Sequence, residues 1–140
     1  MPHNDNGADD WLRSFVQRHA GVAGTVHRNR DDVLELVSAF NIPEPVQRIV
    51  ARVPRGKGMA GLALERNRPV ATCNLKTDSS GDVQPGARAV AAQAGVAIPV
   101  HDERGGVRAV VGIAYAEERD LDEAELDALA AAARTLPSVT

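Results

Sequence analysis

The sequence holds a single cysteine, Cys73, among 140 residues. No disulfide can form within the chain, and a reducing cytoplasm is the expected setting. Aromatic side chains make up only 3% (Trp11, Phe15, Phe40 and Tyr115), so a core must be assembled from Val, Leu, Ile and Ala. No stretch reaches the roughly 18 consecutive apolar residues that a membrane-spanning helix needs. The opening residues, MPHNDNGADD, lack an apolar segment, so they are not expected to act as a secretory signal. Basic residues do not dominate: 16 Lys and Arg stand against 19 Asp and Glu, a net charge of −3. That balance argues against a nucleic-acid module, which needs clustered basic surface. The histidines (His3, His19, His27 and His101) fall in different elements with no pair at metal-ligand spacing, so no zinc or haem site is expected.

What is present fits one soluble domain of about ordinary composition, with hydrophobic residues at 44% and charged residues at 25%. Residues 1–8 read as a disordered tail and 9–137 as the domain. A helix is expected from Asp9 or Asp10, with Trp11, Leu12, Phe15, Val16 and His19 on its apolar face and Gly21 at its end. Val22–Arg28 and Val33–Phe40 alternate as strands around the turn Asn29–Asp32, giving an antiparallel hairpin. A helical turn over Val46–Ile49, an extended Ala51–Pro54, a short helix Met59–Asn67 and a brief strand Pro69–Thr72 follow. Cys73–Arg88 is a polar stretch without apolar periodicity, the expected place of a functional loop or a disordered one. Ala87–Ala94 reads as an Ala-rich helix.

The clearest strand signals come last. Val96, Ile98 and Val100 alternate on one face, and after the loop His101–Gly106 so do Val107, Ala109, Val111, Ile113 and Tyr115. Asp120 and Glu123 suggest a capping box for a final helix whose apolar face is Leu126, Leu129, Ala130, Ala133 and Leu136, stopped by Pro137. Helices at both ends with hairpins between them predict an α+β fold with an antiparallel sheet.

Gly56, Gly58 and Gly61 form a G-x-G-x-x-G, which invites a dinucleotide reading. Pro54 and Arg55 separate the preceding strand from the first glycine, the following helix is short, and no second βαβ unit follows. The glycines are read instead as permitting a turn and a close approach of helix to sheet. Lys57 and Arg55 could meet an anion there, although solvated surface charge is the plainer reading. Cys73 is read first as a small buried hydrophobe; a reactive thiol needs cationic neighbours, and Lys76 is the one nearby in sequence. Asn74, Thr77, Asp78, Ser79, Ser80 and Asp82 supply hydrogen-bonding groups that could fold over a polar ligand, but no nucleophile or base accompanies the two carboxylates.

Gly56-x-Gly58-x-x-Gly61-x-Ala63, then Arg68-Pro69-Val70, then Val96–Val100, then Gly106, Val107-x-Ala109–Ala114 and a closing helix after Leu121, together resemble the GAF domain. The resemblance covers roughly residues 10–136. It implies a twisted six-stranded antiparallel sheet with the terminal helices packed on one face. A short helix and a long loop would cover a ligand pocket on the other, and dimers would form through the terminal helices. The family binds cyclic nucleotides, tetrapyrroles, haem and small metabolites, so the resemblance does not choose a ligand or cofactor. The N-K-x-F-D pattern of cyclic-nucleotide-binding members is not found, and Cys73 has no adjacent histidine for bilin attachment. Free methionine-(R)-sulfoxide reductase, an enzyme of this fold, works through cysteines, one of them in the turn that here reads Gly58-Met59-Ala60-Gly61. A dithiol cycle needs a second thiol, and the sequence has one.

The expectation is therefore a bacterial, cytoplasmic, homodimeric sensory module that binds an unidentified small molecule and acts through dimerisation or a separate partner protein. Enzymatic activity is not expected. The high Ala, Arg and Val content is the basis for the bacterial assignment. Ligand contacts are expected from Phe40, Cys73, Asn74, Asp78 and Tyr115.

Overall fold

The computed structural model describes residues 6–72, 94–117 and 121–138. In chain order the elements are α1 (Asn6–Arg18), β1 (Ala23–Arg30), β2 (Val33–Phe40), α2 (Glu44–Ile49), β3 (Arg52–Pro54), α3 (Gly58–Arg66), β4 (Val70–Thr72), β5 (Ala94–His101), β6 (Val107–Tyr115) and α4 (Glu123–Ala133). The six strands form one antiparallel sheet in the order β3-β2-β1-β6-β5-β4. This is the α+β architecture expected from the sequence. Both edge strands are three residues long, which leaves little unpaired backbone to recruit another chain.

The period of two in β5 and β6 decides what lies on each face. Val96 stands opposite Ile113, Ile98 opposite Val111 and Val100 opposite Ala109. Together with Val26 and Tyr115 these residues form one buried cluster with Ala8, Leu12, Phe15 and Val16 of α1, and with Leu129, Ala133 and Leu136 at the C-terminal helix. Both terminal helices thus cover one face. Two contacts pin α1 there: the Ser38 hydroxyl donates to the Asp9 carboxylate, and Trp11 Nε1 donates to Thr135 Oγ1 at 2.8 Å. Arg108 donates from both Nη atoms to the carbonyls of Leu136 and Pro137, securing the chain just after α4.

Several local devices differ from the sequence expectation. α1 starts at Asn6, ahead of the expected Asp9, because Ala8 is fully buried in the core and draws the first turn into the helix. Its end is set by Ala20, in the left-handed region at φ 62°, with the Gly21 N–H bonded to the Val16 carbonyl. Gly21 is needed for closeness: a Cβ on it would stand 2.7 Å from Ile113 Cγ1. The β1–β2 turn tightens to Asp31 and Asp32, both at positive φ, as a two-residue hairpin turn requires. Pro45 lies in the first turn of α2, where its missing N–H costs nothing, so it opens a helix that the sequence reading began only at Val46. The cap of α4 is Asp122, whose carboxylate accepts from the Glu125 N–H at 2.8 Å, two residues later than the expected Asp120. Of the Ala-rich helix expected over 87–94, residues 87–93 lie outside the described residues and Ala94 begins β5.

Candidate ligand-binding cavity

The opposite face of the same three central strands is nearly bare of side-chain volume. Three rows cross β1, β6 and β5: Ala23–Ala114–Gly95, then Thr25–Gly112–Ala97, then His27–Val110–Pro99. Two of the rows contain nothing larger than threonine. The strands keep their bulky residues toward the terminal helices and their smallest ones toward the other side, so a volume is left unfilled above them.

That volume is roofed by α2, β3 and α3. Val46 packs with Ala23, Ile42 and Met59 at one end. Leu34, Ala63, Leu64, Val70, Ala97 and Val110 fill the other, with Met59 between the two clusters. The glycine-rich turn sets the height of the roof. Gly58 at φ 62° and Gly56 at φ 85° take backbone conformations that glycine reaches without strain. Gly61 lies so close to β3 that a Cβ on it would stand 2.5 Å from the Pro54 carbonyl oxygen. These glycines therefore turn the chain and seat the helix, as the sequence reading held against the dinucleotide alternative.

The half-open cavity measures about 490 Å³, within the usual range for small-molecule sites. Thr25, His27, Gly95, Ala97, Gly112 and Ala114 line it from the sheet. Ile42, Val46, Ile49, Val50, Val53 and Met59 line it from the roof, and Arg52 and Lys57 complete its border. The lining is mostly apolar. Ile49, 61% exposed, is the large hydrophobic residue left uncovered among those described.

His27 is the one buried titratable side chain of the lining. It is 3% exposed, and its Nε2 lies 2.8 Å from the Val50 carbonyl, so the N–H is on Nε2 and donates. Nδ1 is then an acceptor with no hydrogen-bond partner among the described residues. Burial lowers its pKa to about 4 from 6.5, against a smaller opposing effect of the Val50 hydrogen bond. The imidazole is thus neutral near pH 7, and it ties the end of α2 to the floor. From the sequence His27 could face a pocket or stand partly exposed; the regular alternation of β1 against β6 puts it on the same face as Thr25, under Val50.

Phe40 and Tyr115 lie elsewhere. Tyr115 is buried in the cluster beneath the terminal helices and Phe40 packs against that cluster; neither lines the cavity. Cys73, Asn74 and Asp78 lie outside the described residues. The site residues that sequence reasoning passed over are the small ones. Their signal was available: two adjacent strands carry Val and Ile at one parity and Gly and Ala at the other.

Among the described residues no group of three or more His, Cys, Asp or Glu is placed to hold a metal ion, and no helix is long and apolar enough to cross a membrane. No curated protein matches the chain in sequence. Solved structures share its fold. The type II free methionine-R-sulfoxide reductase of Thermoplasma acidophilum is 14% identical, with a TM-score of 0.69 over 90% of this chain and 86% of that one. A GAF domain region from Geobacter sulfurreducens PCA is 15% identical, with a TM-score of 0.72 over 91% and 86%. An NreA protein of Staphylococcus aureus, mutated in its nitrate binding site, is 13% identical, with a TM-score of 0.68 over 86% and 93%. The family profile described as GAF domain matches residues 10–137. The chain belongs to the GAF domain family.

Proposed function

We propose that this GAF domain is a sensory or regulatory module that binds a small molecule in the cavity above Gly95, Ala97, Gly112 and Ala114. The observation that carries this reading is the asymmetry of the sheet. One face is filled by interdigitated Val, Ile and Tyr, while the other keeps about 490 Å³ open under a roof held by the Gly61–Pro54 approach and the His27–Val50 hydrogen bond. Close packing is the default for protein interiors, so a volume this large beneath a built roof is best explained by an occupant.

Binding is favoured over sulfoxide chemistry by the thiol count. The Thermoplasma acidophilum protein of similar fold is a reductase, but a thiol–disulfide cycle within one chain needs two cysteines and this sequence has one. Thr25 and the neutral His27 are not joined by a hydrogen bond, so the lining among the described residues offers no activated nucleophile. We read the module as non-catalytic and cytoplasmic, working as a homodimer through α1 and α4 or on a separate partner protein. Exposed Ala124, Ala128 and Ala131 on α4 would let a second helix approach closely.

Native mass spectrometry of the protein purified from its own host, alongside an Ala114→Leu variant that fills the floor, tests this. The expected result is a dimer carrying a co-purifying small molecule that the variant lacks. A bare chain, with neither protein gaining mass when offered a cellular metabolite extract, would remove the binding reading.

A further inference from the structure

Among the described residues the border of the cavity is charged with one sign only. Arg52 and Lys57 are the charged residues among its described lining, and no carboxylate joins them. Other cations nearby are already matched: Arg55 lies 3.7 Å from Asp32, Arg48 2.9 Å from Glu44, and Arg28 2.9 Å from Glu35. Glu35 pairs with Arg52 across β2 and β3, yet its carboxylate is engaged by Arg28, with Arg30 at 3.9 Å. Arg52 and Lys57 make no ion pair among the described residues.

The main chain at the same border has the same polarity. Lys57 is the N-cap of α3 and no side chain caps that helix. Gly58, Met59 and Ala60, which line the cavity, are its first-turn residues, whose N–H groups have no carbonyl one turn back within the helix. The positive end of the helix dipole and two exposed cations therefore border the same largely apolar cavity. Behind them the floor carries no charge, because His27 is neutral.

We propose that the ligand is an amphipathic organic anion: an aryl or short alkyl body over the Gly–Ala floor, with one carboxylate at the border formed by Arg52, Lys57 and the start of α3. This rests on the cavity being a binding site and adds the class of molecule. A cation would meet two like charges, with no carboxylate among the described lining to offset them. A neutral molecule would gain from the apolar walls but leave the border groups to water. A small inorganic anion would satisfy the border and leave most of the apolar lining unused. A carboxylate with an apolar body uses both halves, and its hydrogen bonds to cationic and main-chain donors are of the stronger, charge-assisted kind.

Three probes of one shape separate these cases: phenylbutanoate, phenylbutanol and phenylbutylammonium, titrated by calorimetry into the full chain at low salt. Phenylbutanoate should bind one per chain, about tenfold or more tighter than the alcohol, with the ammonium weakest. Replacing Arg52→Met and Lys57→Met together keeps the apolar stems and removes the charges. In that variant the acid should fall to the affinity of the alcohol, with an unchanged circular dichroism spectrum certifying the fold. The inference is overturned if the acid binds no better than the alcohol, if the ammonium binds best, or if the double variant retains the acid. In those cases the cavity reading stands, since a probe still binds. If none of the three binds, both readings fail.

Discussion

His27 is the residue on which burial and chemistry meet most directly. Its ring is sealed beneath Val50 and held neutral, with a pKa lowered to about 4 by desolvation. The unfolded chain would protonate the same group near 6.5. Between those values the unfolded state binds the proton and the folded state does not, so stability is lost as pH falls from about 6.5 toward 4. From pH 7.5 to 5 the loss should reach about 2 kcal/mol, most of it before the carboxylates begin to titrate. Urea unfolding at a series of pH values measures it. A His27→Gln variant should be less stable at pH 7.5 yet show a flatter slope across that interval. An unchanged slope would place the titrating group elsewhere. Sequence alone left His27 between facing the pocket and partial exposure, since its partner is a main-chain carbonyl 23 positions away whose approach depends on how α2 is laid over the sheet.

At the level of elements, the glycine-rich turn before α3 is the piece that makes a roof out of a helix. Gly61→Ala would drive a methyl group against the Pro54 carbonyl, a main-chain atom that cannot swing aside. The substitution should destabilise the fold by roughly 1–3 kcal/mol despite its better helix propensity, read from urea unfolding. A neutral or stabilising result would show that α3 can stand off from β3. The strands β5 and β6 were legible because their large residues keep strict parity over five or more positions, and the structure pairs them in register. The same parity held the cavity in plain view as Gly95, Ala97, Gly112 and Ala114, but small residues read as weak strand signal and not as reserved space. Tyr115 shares the parity of Val111 and Ile113, and that parity commits it to the terminal-helix core. End signals shifted by a residue or two wherever tertiary packing outweighed local preference. Ala20 takes the left-handed position that Gly21 was expected to hold, because Gly21 is required against Ile113.

For the molecule as a whole, the sheet divides two tasks. One face joins the N- and C-terminal helices through Leu12, Val16, Ile98, Val111 and Leu129, and through the Trp11–Thr135 hydrogen bond. The other holds the chamber. Since β1, β5 and β6 contribute side chains to both, an occupant pressing on Thr25, Ala97 or Ala114 bears on strands whose alternate residues support α1 and α4. That places binding and any response of the terminal helices on opposite sides of a single layer. The most direct test of the central claim is an amide-resolved NMR titration with an extract of the host's small molecules. Saturable shifts are expected at Thr25, Gly95, Ala97, Met59, Gly112 and Ala114, abolished by Ala114→Leu. Shifts confined to the outer surfaces of α1 and α4, or none at any concentration, would contradict the claim.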